Sequence, residues 1–231
     1  MSDTNRPAQI AANLAEVEER ITRTCLANGR NRSDITLIAV TKTFPISDCQ
    51  ILYELGVRDF GENRDEEATS KFEAMPNDVR WHFQGQIQSR KITSICHWAA
   101  VIHSLDSIDH ASKFSSRLVD AEKSFFVQVN LEPGRVDRGG IAPAGLKDFL
   151  VSLTDMTRIA PIGLMAVAPL GMDPLRAFRQ VRELRDVNLG DFPSLNSLSI
   201  GMSHDFESAI SAGATHVRIG SSILGSRAPL T

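Results

Sequence analysis

The sequence predicts a single (β/α)8 barrel, a TIM barrel in which eight parallel strands are each followed by a helix. Strand-like and helix-like segments alternate along the whole chain. The strand-like segments are short and apolar on both faces, which is typical of parallel strands covered by helices. The 231 residues are enough for eight such units. A doubly wound open sheet is the alternative that this pattern leaves open.

An extra helix is predicted before the first strand, within residues 1–30. Apolar residues from Ile10 to Leu26 recur at helical spacing over 8–28, and Gly29 can end that helix. The first four strands are predicted over 35–41, 57–60, 80–83 and 99–103. The helices after them are predicted over 47–55, from the residue after Asn63 to about Ala74, 89–95 and 107–121.

The remaining units follow the same order with no Gly/Ser-rich or Pro-rich divider, so 1–231 is expected to form one domain. Their strands are predicted over 125–130, 159–166, 197–200 and 216–219. Their helices are predicted over 143–153, 173–186 and 204–212, with a short helix that begins at 221.

Composition narrows the possible functions. Apolar residues make up 42% and charged residues 23% of the chain, as in soluble globular proteins. The formal net charge of −3 gives no basic excess for nucleic acid or an anionic membrane. We find no secretory signal and no apolar run long enough for a membrane span. The three cysteines form no C-x-x-C pair, which favours a reducing cytoplasm.

Lys42 is the first candidate functional residue, because it follows the first predicted strand. In such barrels the active site lies where strands end and loops begin. Partial burial would lower the pKa of the Lys42 amine and free it for a Schiff base. The alternative is a solvated lysine before a proline turn at Pro45.

Glycine and serine follow the last two predicted strands, in Gly201-Met202-Ser203 and in Gly220-Ser221-Ser222. Glycine lets the backbone approach an anion, serine adds a donor, and a helix begins after each turn. The loops after strands seven and eight often bind phosphate in these barrels. The alternative is that Ser203 and Ser221 only cap their helices. A phosphorylated carbonyl compound would fit both this site and Lys42, and either a sugar phosphate or pyridoxal phosphate meets that description.

The histidines give a weaker signal. In Trp81-His82-Phe83, His82 would point into the barrel if its two neighbours point out toward the helices. There it would be either a proton shuttle or a hydrogen-bonded core residue. The other histidines show no metal-ligand spacing, so no metal is expected.

Six segments together resemble the family of pyridoxal phosphate homeostasis proteins, which is related to the N-terminal barrel of alanine racemase. They are AVTKTFP at 39–45, DFGEN at 59–63, WHFQGQIQSRK at 81–91, VQVN at 127–130, GLMAVAP at 163–169 and LSIGMSHDFESAISAGATHVRIGSSILGSR at 198–227. The resemblance implies the fold type III barrel of pyridoxal 5′-phosphate (PLP) proteins, with PLP as the cofactor. It also implies that Lys42 binds PLP as a Schiff base, while Ser203, Gly220 and Ser221 hold its phosphate.

By the same resemblance, Arg218 would face the pyridine nitrogen, and Asn63 and Met202 would line the pocket. A guanidinium stays protonated, so it would donate to the ring nitrogen and leave that nitrogen unprotonated. An unprotonated ring is a poorer electron sink, which weakens carbanion chemistry. The alternative for Arg218 is a salt bridge at the end of the barrel.

The resemblance favours a carrier over an enzyme. The related racemases use a lysine and a tyrosine as bases, and the tyrosine comes from a further C-terminal domain. Here the sequence ends soon after the eighth unit, and the one tyrosine, Tyr53, lies in the first crossover helix. We therefore expect a monomeric PLP storage and delivery protein without robust catalysis, with PLP-dependent apo-enzymes as possible partners. The alternatives are a PLP-dependent racemase or lyase of low activity and a Schiff-base aldolase that needs no cofactor.

Three departures from the family pattern concern the entrance loops. Arg64 stands where a tyrosine is common, and Gln86 stands where a proline is common. The segment 132–140 replaces a loop that usually carries Lys-Ser-Gly, and Arg138 is expected to take the place of its lysine. These departures leave the Lys42 and phosphate motifs unchanged.

Overall fold

The computed structural model describes residues 5–118, 123–132, 134 and 138–225. In this part of the chain eight parallel strands close into a barrel in sequence order. They are β1 (Thr36–Val40), β2 (Asp59–Glu62), β3 (Arg80–Phe83), β4 (Val101–Leu105), β5 (Ser124–Gln128), β6 (Gly163–Met165), β7 (Ser197–Ser199) and β8 (His216–Ile219). Because β1 pairs with β8, the sheet is closed. The predicted barrel is confirmed, and the open sheet is wrong.

Helices surround the barrel. They are α1 (Arg6–Ala27), α2 (Ile46–Glu54), α3 (Asp65–Ala74), α4 (Ile92–Trp98), α5 (Ile108–Ser115), α6 (Leu146–Met156), α7 (Pro174–Asn188), α8 (Phe206–Ser211) and α9 (Ser221–Leu224). Helix α1 is the predicted extra helix. It buries an apolar stripe against α2, α8 and α9, and so covers the junction between the first and last units. None of the described helices is long and apolar enough to cross a membrane.

Several predicted boundaries are wrong by two or three residues where a helix ends. The N–H of Val57 donates to Leu52 O, so Val57 closes α2 and β2 begins only at Asp59. In the same way the N–H of Ala99 donates to Ile95 O, and β4 begins two residues later than predicted. These hydrogen bonds complete the end of a helix. The residues that donate them are apolar, so in the sequence they look like the start of a strand.

Other boundaries differ for local reasons. Strand β6 covers only 163–165, because Pro161 has no backbone N–H to continue the ladder. Residues 143–145 form a 3-10 turn before α6. Helix α5 ends at Ser115, and part of its predicted extension, 119–122, lies outside the described residues. None of these differences changes the order of the units.

Candidate functional site

A cavity of about 430 Å³ opens at the carboxyl ends of the strands. It lies where barrels of this class place their active sites. All seven residues that the resemblance implies line it: Lys42, Asn63, Met202, Ser203, Arg218, Gly220 and Ser221. Seven further residues complete the wall and were not predicted: Gln84, Val40, Phe44, Met165, Val167, His204 and Gly225. Among these, Gln84 could have been found from the sequence, because it is a polar residue directly after a predicted strand.

Lys42 lies on a sharp turn after β1. Thr43 has φ of 69°, a left-handed conformation that is rare outside glycine and costs roughly 1–3 kcal/mol. The N–H of Thr43 donates to the carboxylate of Glu67, and the N–H of Phe44 donates to Thr41 O. The turn is therefore held by contacts on both sides of Lys42, whose half-buried side chain lines the cavity.

A buried ion pair supports this turn from below. Lys71 Nζ donates to Thr41 O at 2.8 Å, to Glu62 Oε1 at 2.7 Å and to Glu67 Oε1 at 2.8 Å. The hydroxyl of Thr41 donates to the same Glu62 oxygen. Burial raises the pKa of the Glu62 carboxyl, although Lys71 opposes the shift. Burial alone would lower the pKa of Lys71, but Glu62 and Glu67 outweigh it and the net shift is upward.

Ser203 connects the turns after β7 and β8. The N–H groups of Gly220 and Ser222 both point at the Ser203 hydroxyl oxygen, each at 3.3 Å. These distances are long for such bonds, so the two amides are only weakly satisfied. Gly201 has φ of 92°, and a Cβ there would lie 2.5 Å from the Cβ of Ala209, so glycine is required for the turn.

The capping interpretation of the two serines is wrong. Helix α8 begins at Phe206, with Asp205 rather than Ser203 at its N-cap. Helix α9 has Gly220 at its N-cap, so Ser221 is the first helical residue and not the cap. Neither serine is the N-cap of the helix that follows it, and both line the cavity, where Ser203 also accepts from the first turn of α9.

Arg218 lies at the base of the cavity and is 5% exposed. Its guanidinium donates to Ser199 O and Ser199 Oγ through Nη1 and to Ala166 O through Nη2. The acceptors are carbonyls and a hydroxyl, so the predicted alternative of a salt bridge is wrong. Burial lowers the pKa of Arg218 to about 10, and the group stays protonated at neutral pH.

Two polar atoms at the cavity wall have no partner among the described residues. They are the side-chain oxygen of Asn63 and the amide nitrogen of Gln84, both shielded from solvent. A buried donor or acceptor without a partner costs about 1–3 kcal/mol. A polar ligand in the cavity would relieve that cost. The donor set of Lys42, Ser203 and Arg218 therefore fits an anionic carbonyl compound better than an apolar ligand.

Gly85 holds the backbone next to Asn63. A Cβ at Gly85 would lie 2.0 Å from Asn63 O. Gly85→Ala is therefore expected to force the two strand ends apart and to lower the free energy of unfolding by roughly 1–3 kcal/mol. Urea unfolding measures the loss. Gly190→Ala is the matched control, because a Cβ there would meet nothing within 4 Å. Equal stability of the two variants would contradict the predicted close approach.

The other residues singled out in the sequence lie elsewhere. His82 is fully buried in the barrel and does not line the cavity. Tyr53 Oη donates to Asp78 at 2.8 Å on the outer face of α2. Arg64 and Gln86 line a neighbouring hollow beside α3 and α4.

Arg138 forms an ion pair with Glu132 at 2.9 Å. Residues 133 and 135–137 of that predicted entrance loop lie outside the described residues. Where side chains are described, no group of His, Cys, Asp and Glu could hold a metal ion.

Known sequences resemble this chain over most of its length. The family model for the alanine racemase N-terminal domain matches residues 8–228. The pyridoxal phosphate homeostasis protein of Mycobacterium leprae is 33% identical, with 96% of this chain and 94% of that protein covered. The protein of the same name from Aquifex aeolicus is 35% identical over 93% of this chain and 96% of its own length.

Solved structures show the same architecture. PipY of Synechococcus elongatus, in a structure with PLP bound, superposes with a TM-score of 0.80 and is 31% identical. The alignment covers 94% of this chain and all of PipY. Alanine racemase of Clostridium difficile superposes with a TM-score of 0.73 at 13% identity, and the match covers 96% of this chain but 60% of the racemase. At that identity the racemase shows the fold alone.

Proposed function

The chain belongs to the family of pyridoxal phosphate homeostasis proteins and carries the alanine racemase N-terminal domain, and from this premise we propose that it binds, stores and delivers PLP. One observation carries the proposal. A single cavity is lined by a lysine, by the serine and glycine of two adjoining turns, and by a buried arginine. These are the partners that an aldehyde, a phosphate and a pyridine nitrogen need.

When bound, PLP would supply an aldehyde that condenses reversibly with a primary amine. Lys42 presents its amine at the cavity wall and would attach the cofactor covalently. The weakly satisfied amides of Gly220 and Ser222 and the hydroxyls of Ser203 and Ser221 would bind the phosphate. Each amide would exchange a long hydrogen bond for a shorter, charge-assisted one.

Arg218 would bind the ring nitrogen from the base of the cavity. A guanidinium has donors and no acceptor, so it would keep that nitrogen unprotonated. Asn63 and Gln84 present the two unpartnered polar atoms and would contact polar groups on the rest of the ring. Met202 would pack over the cofactor near the cavity entrance, where its side chain is 38% exposed.

Storage and delivery fit this site better than turnover. The only tyrosine of the sequence, Tyr53, is engaged by Asp78 away from the cavity, so it cannot act as a second base there. His82 is buried in the barrel interior, so it cannot act as a second base either. His204 does line the cavity, and a racemase or lyase of low activity that uses it is the second candidate function. We also propose that the protein is cytoplasmic and monomeric and that it gives PLP to apo-enzymes.

Ser203→Ala is expected to weaken PLP retention. It removes one charge-assisted hydrogen bond, worth about 1.5–3 kcal/mol, which corresponds to roughly 10- to 150-fold in the dissociation constant. Equilibrium dialysis against PLP measures the change. Ser70→Ala is the control, because Ser70 is exposed on α3, away from the cavity. Unchanged affinity in the Ser203 variant would place the phosphate elsewhere.

Carrier and enzyme are distinguished by two assays on the loaded protein. A carrier is expected to restore the activity of a PLP-dependent apo-enzyme, faster than the same amount of PLP trapped by an inert amine. It is also expected to leave a panel of L- and D-amino acids unchanged. Conversion of any amino acid at a rate that His204→Ala abolishes would favour the second candidate function.

A further inference from the structure

A continuous chain of hydrogen bonds crosses the interior of the barrel. His82 on β3 contacts Asp59 Oδ1 through Nε2 at 2.9 Å and His103 Nε2 through Nδ1 at 2.9 Å. His103 on β4 contacts Ser199 Oγ through Nδ1 at 2.8 Å. Ser199 on β7 accepts from Arg218 Nη1 at 2.7 Å. The chain thus runs from the amino-terminal end of β2 to the base of the cavity.

The carboxylate at one end and the neutral state of both imidazoles together fix the direction of every bond, because the Ser199 hydroxyl could otherwise accept from both of its neighbours. A guanidinium can only donate, and an ionised carboxylate can only accept. Arg218 donates to the Ser199 hydroxyl, which in turn donates to His103 Nδ1. His103 then carries its proton on Nε2 and donates to His82 Nδ1. His82 likewise carries its proton on Nε2 and donates to Asp59.

The two imidazoles are neutral in this arrangement. Burial lowers the pKa of His82, and Asp59 only partly offsets it. Burial lowers the pKa of His103 well below its ordinary value, and the neighbouring His82 and Arg218 lower it further. Phe126 stacks on the His103 ring, with ring centroids 4.6 Å apart, and fixes the plane of the imidazole. With both imidazoles neutral, the chain has a single proton arrangement.

We propose that Asp59, His82, His103 and Ser199 are positioning residues that aim the guanidinium of Arg218 at the ring nitrogen of PLP. This inference rests on the proposed function. Arg218 has five N–H donors, and the chain together with the carbonyls of Ser199 and Ala166 engages part of them from below. Arg218 lines the cavity, so its remaining N–H groups would be available to the ring nitrogen. Four residues that never touch the cofactor would thereby set how firmly its ring nitrogen is kept unprotonated.

The first test needs no cofactor. In the full-length wild type, nitrogen NMR of the histidine rings is expected to show neutral imidazoles protonated on Nε2 at both His82 and His103. Protonation of His103 on Nδ1 would overturn the chain as described. This result is independent of PLP uptake, so it separates a failure of the inference from a failure of the proposed function.

The second test measures the NMR resonance of the ring nitrogen in bound, nitrogen-15-labelled PLP. In Ser199→Ala and His103→Phe its resonance is expected to move from the wild-type position toward that of free PLP at the same pH. His103→Phe retains the aromatic stack on Phe126. His103→Asn is the rescue variant, because its side-chain oxygen can accept from Ser199 where Nδ1 does, and it is expected to restore most of the shift.

The exposed His97 supplies the matched control, and His97→Phe is expected to leave the resonance at its wild-type position. The fraction of protein trapped by borohydride on Lys42 is measured beside each spectrum, so a change in loading is not mistaken for a change in hydrogen bonding. A wild-type resonance in both Ser199→Ala and His103→Phe would overturn the positioning role. Failure of the wild type to take up PLP would overturn the proposed function, and this inference with it.

Discussion

Lys42→Ala is expected to abolish covalent retention of PLP. The variant removes the primary amine of a residue that lines the cavity together with the two turns proposed to bind phosphate. The barrel is expected to remain folded, because the Lys42 side chain is only half-buried and backbone hydrogen bonds hold its turn. After incubation with PLP and reduction with borohydride, peptide mass analysis should find the adduct in the wild type and lose it in the variant.

Lys147→Ala is the matched control. Lys147 lies on α6, where its ammonium pairs with Asp191 on the protein surface, and it is not one of the cavity-lining residues. That variant should retain the full adduct. A reducible adduct that persists in Lys42→Ala at the wild-type level would mean that another lysine holds the cofactor, and the assignment of the site would be wrong.

Lys71→Met is expected to destabilise the protein by about 3–5 kcal/mol, the usual result of removing one partner from a buried ion pair. The substitution leaves the Glu62 carboxylate buried without its counter-charge and removes a donor from Thr41 O. Because Thr41 precedes Lys42, we expect PLP affinity to fall as well. Urea unfolding measures the first effect and equilibrium dialysis the second.

The loss of stability in Lys71→Met should depend on pH in a defined direction. Burial already raises the pKa of Glu62, and without Lys71 it would rise further. A folded state that binds the proton more tightly than the unfolded state loses stability as pH rises from about 4.3, the ordinary value for glutamate, through the folded value. The free energy of unfolding of the variant should therefore be closest to that of the wild type at acid pH.

A double variant and a surface control test the cause. Lys71→Met combined with Glu62→Gln removes the buried charge and should recover part of the stability. Lys147→Met breaks a pair with Asp191, which is 59% exposed, and should change stability much less because solvent screens that pair. A loss of stability in Lys71→Met no larger than in Lys147→Met would show that the buried pair does not support the Lys42 turn.

The alternation of apolar strands and amphipathic helices is enough to predict the closed barrel and the position of Lys42 after β1. The signals that mark the strand ends are local, so the sequence alone places Gly201, Ser203, Gly220 and Ser221 at one end of the barrel. Boundaries failed where Val57 completes a helix, because a single apolar residue fits the end of a helix as well as the start of a strand.

The polar interior could not be predicted in the same way. Lys71 lies in a helix with mostly polar residues, and nothing local indicates that it turns inward to meet Glu62. The partnership of His82 and His103 depends on the register between β3 and β4, which is a property of the closed barrel. Contacts between distant segments of this kind appear only when the strands are placed beside one another.

The most direct test of the PLP site is the visible absorption spectrum of the purified protein after PLP is added, before and after borohydride, followed by peptide mass analysis. We expect a yellow protein that bleaches on reduction and carries the reduced adduct on Lys42. A protein that stays colourless and takes up no PLP would contradict the proposed site. The favoured function would then be a cofactor-free aldolase that acts on a sugar phosphate.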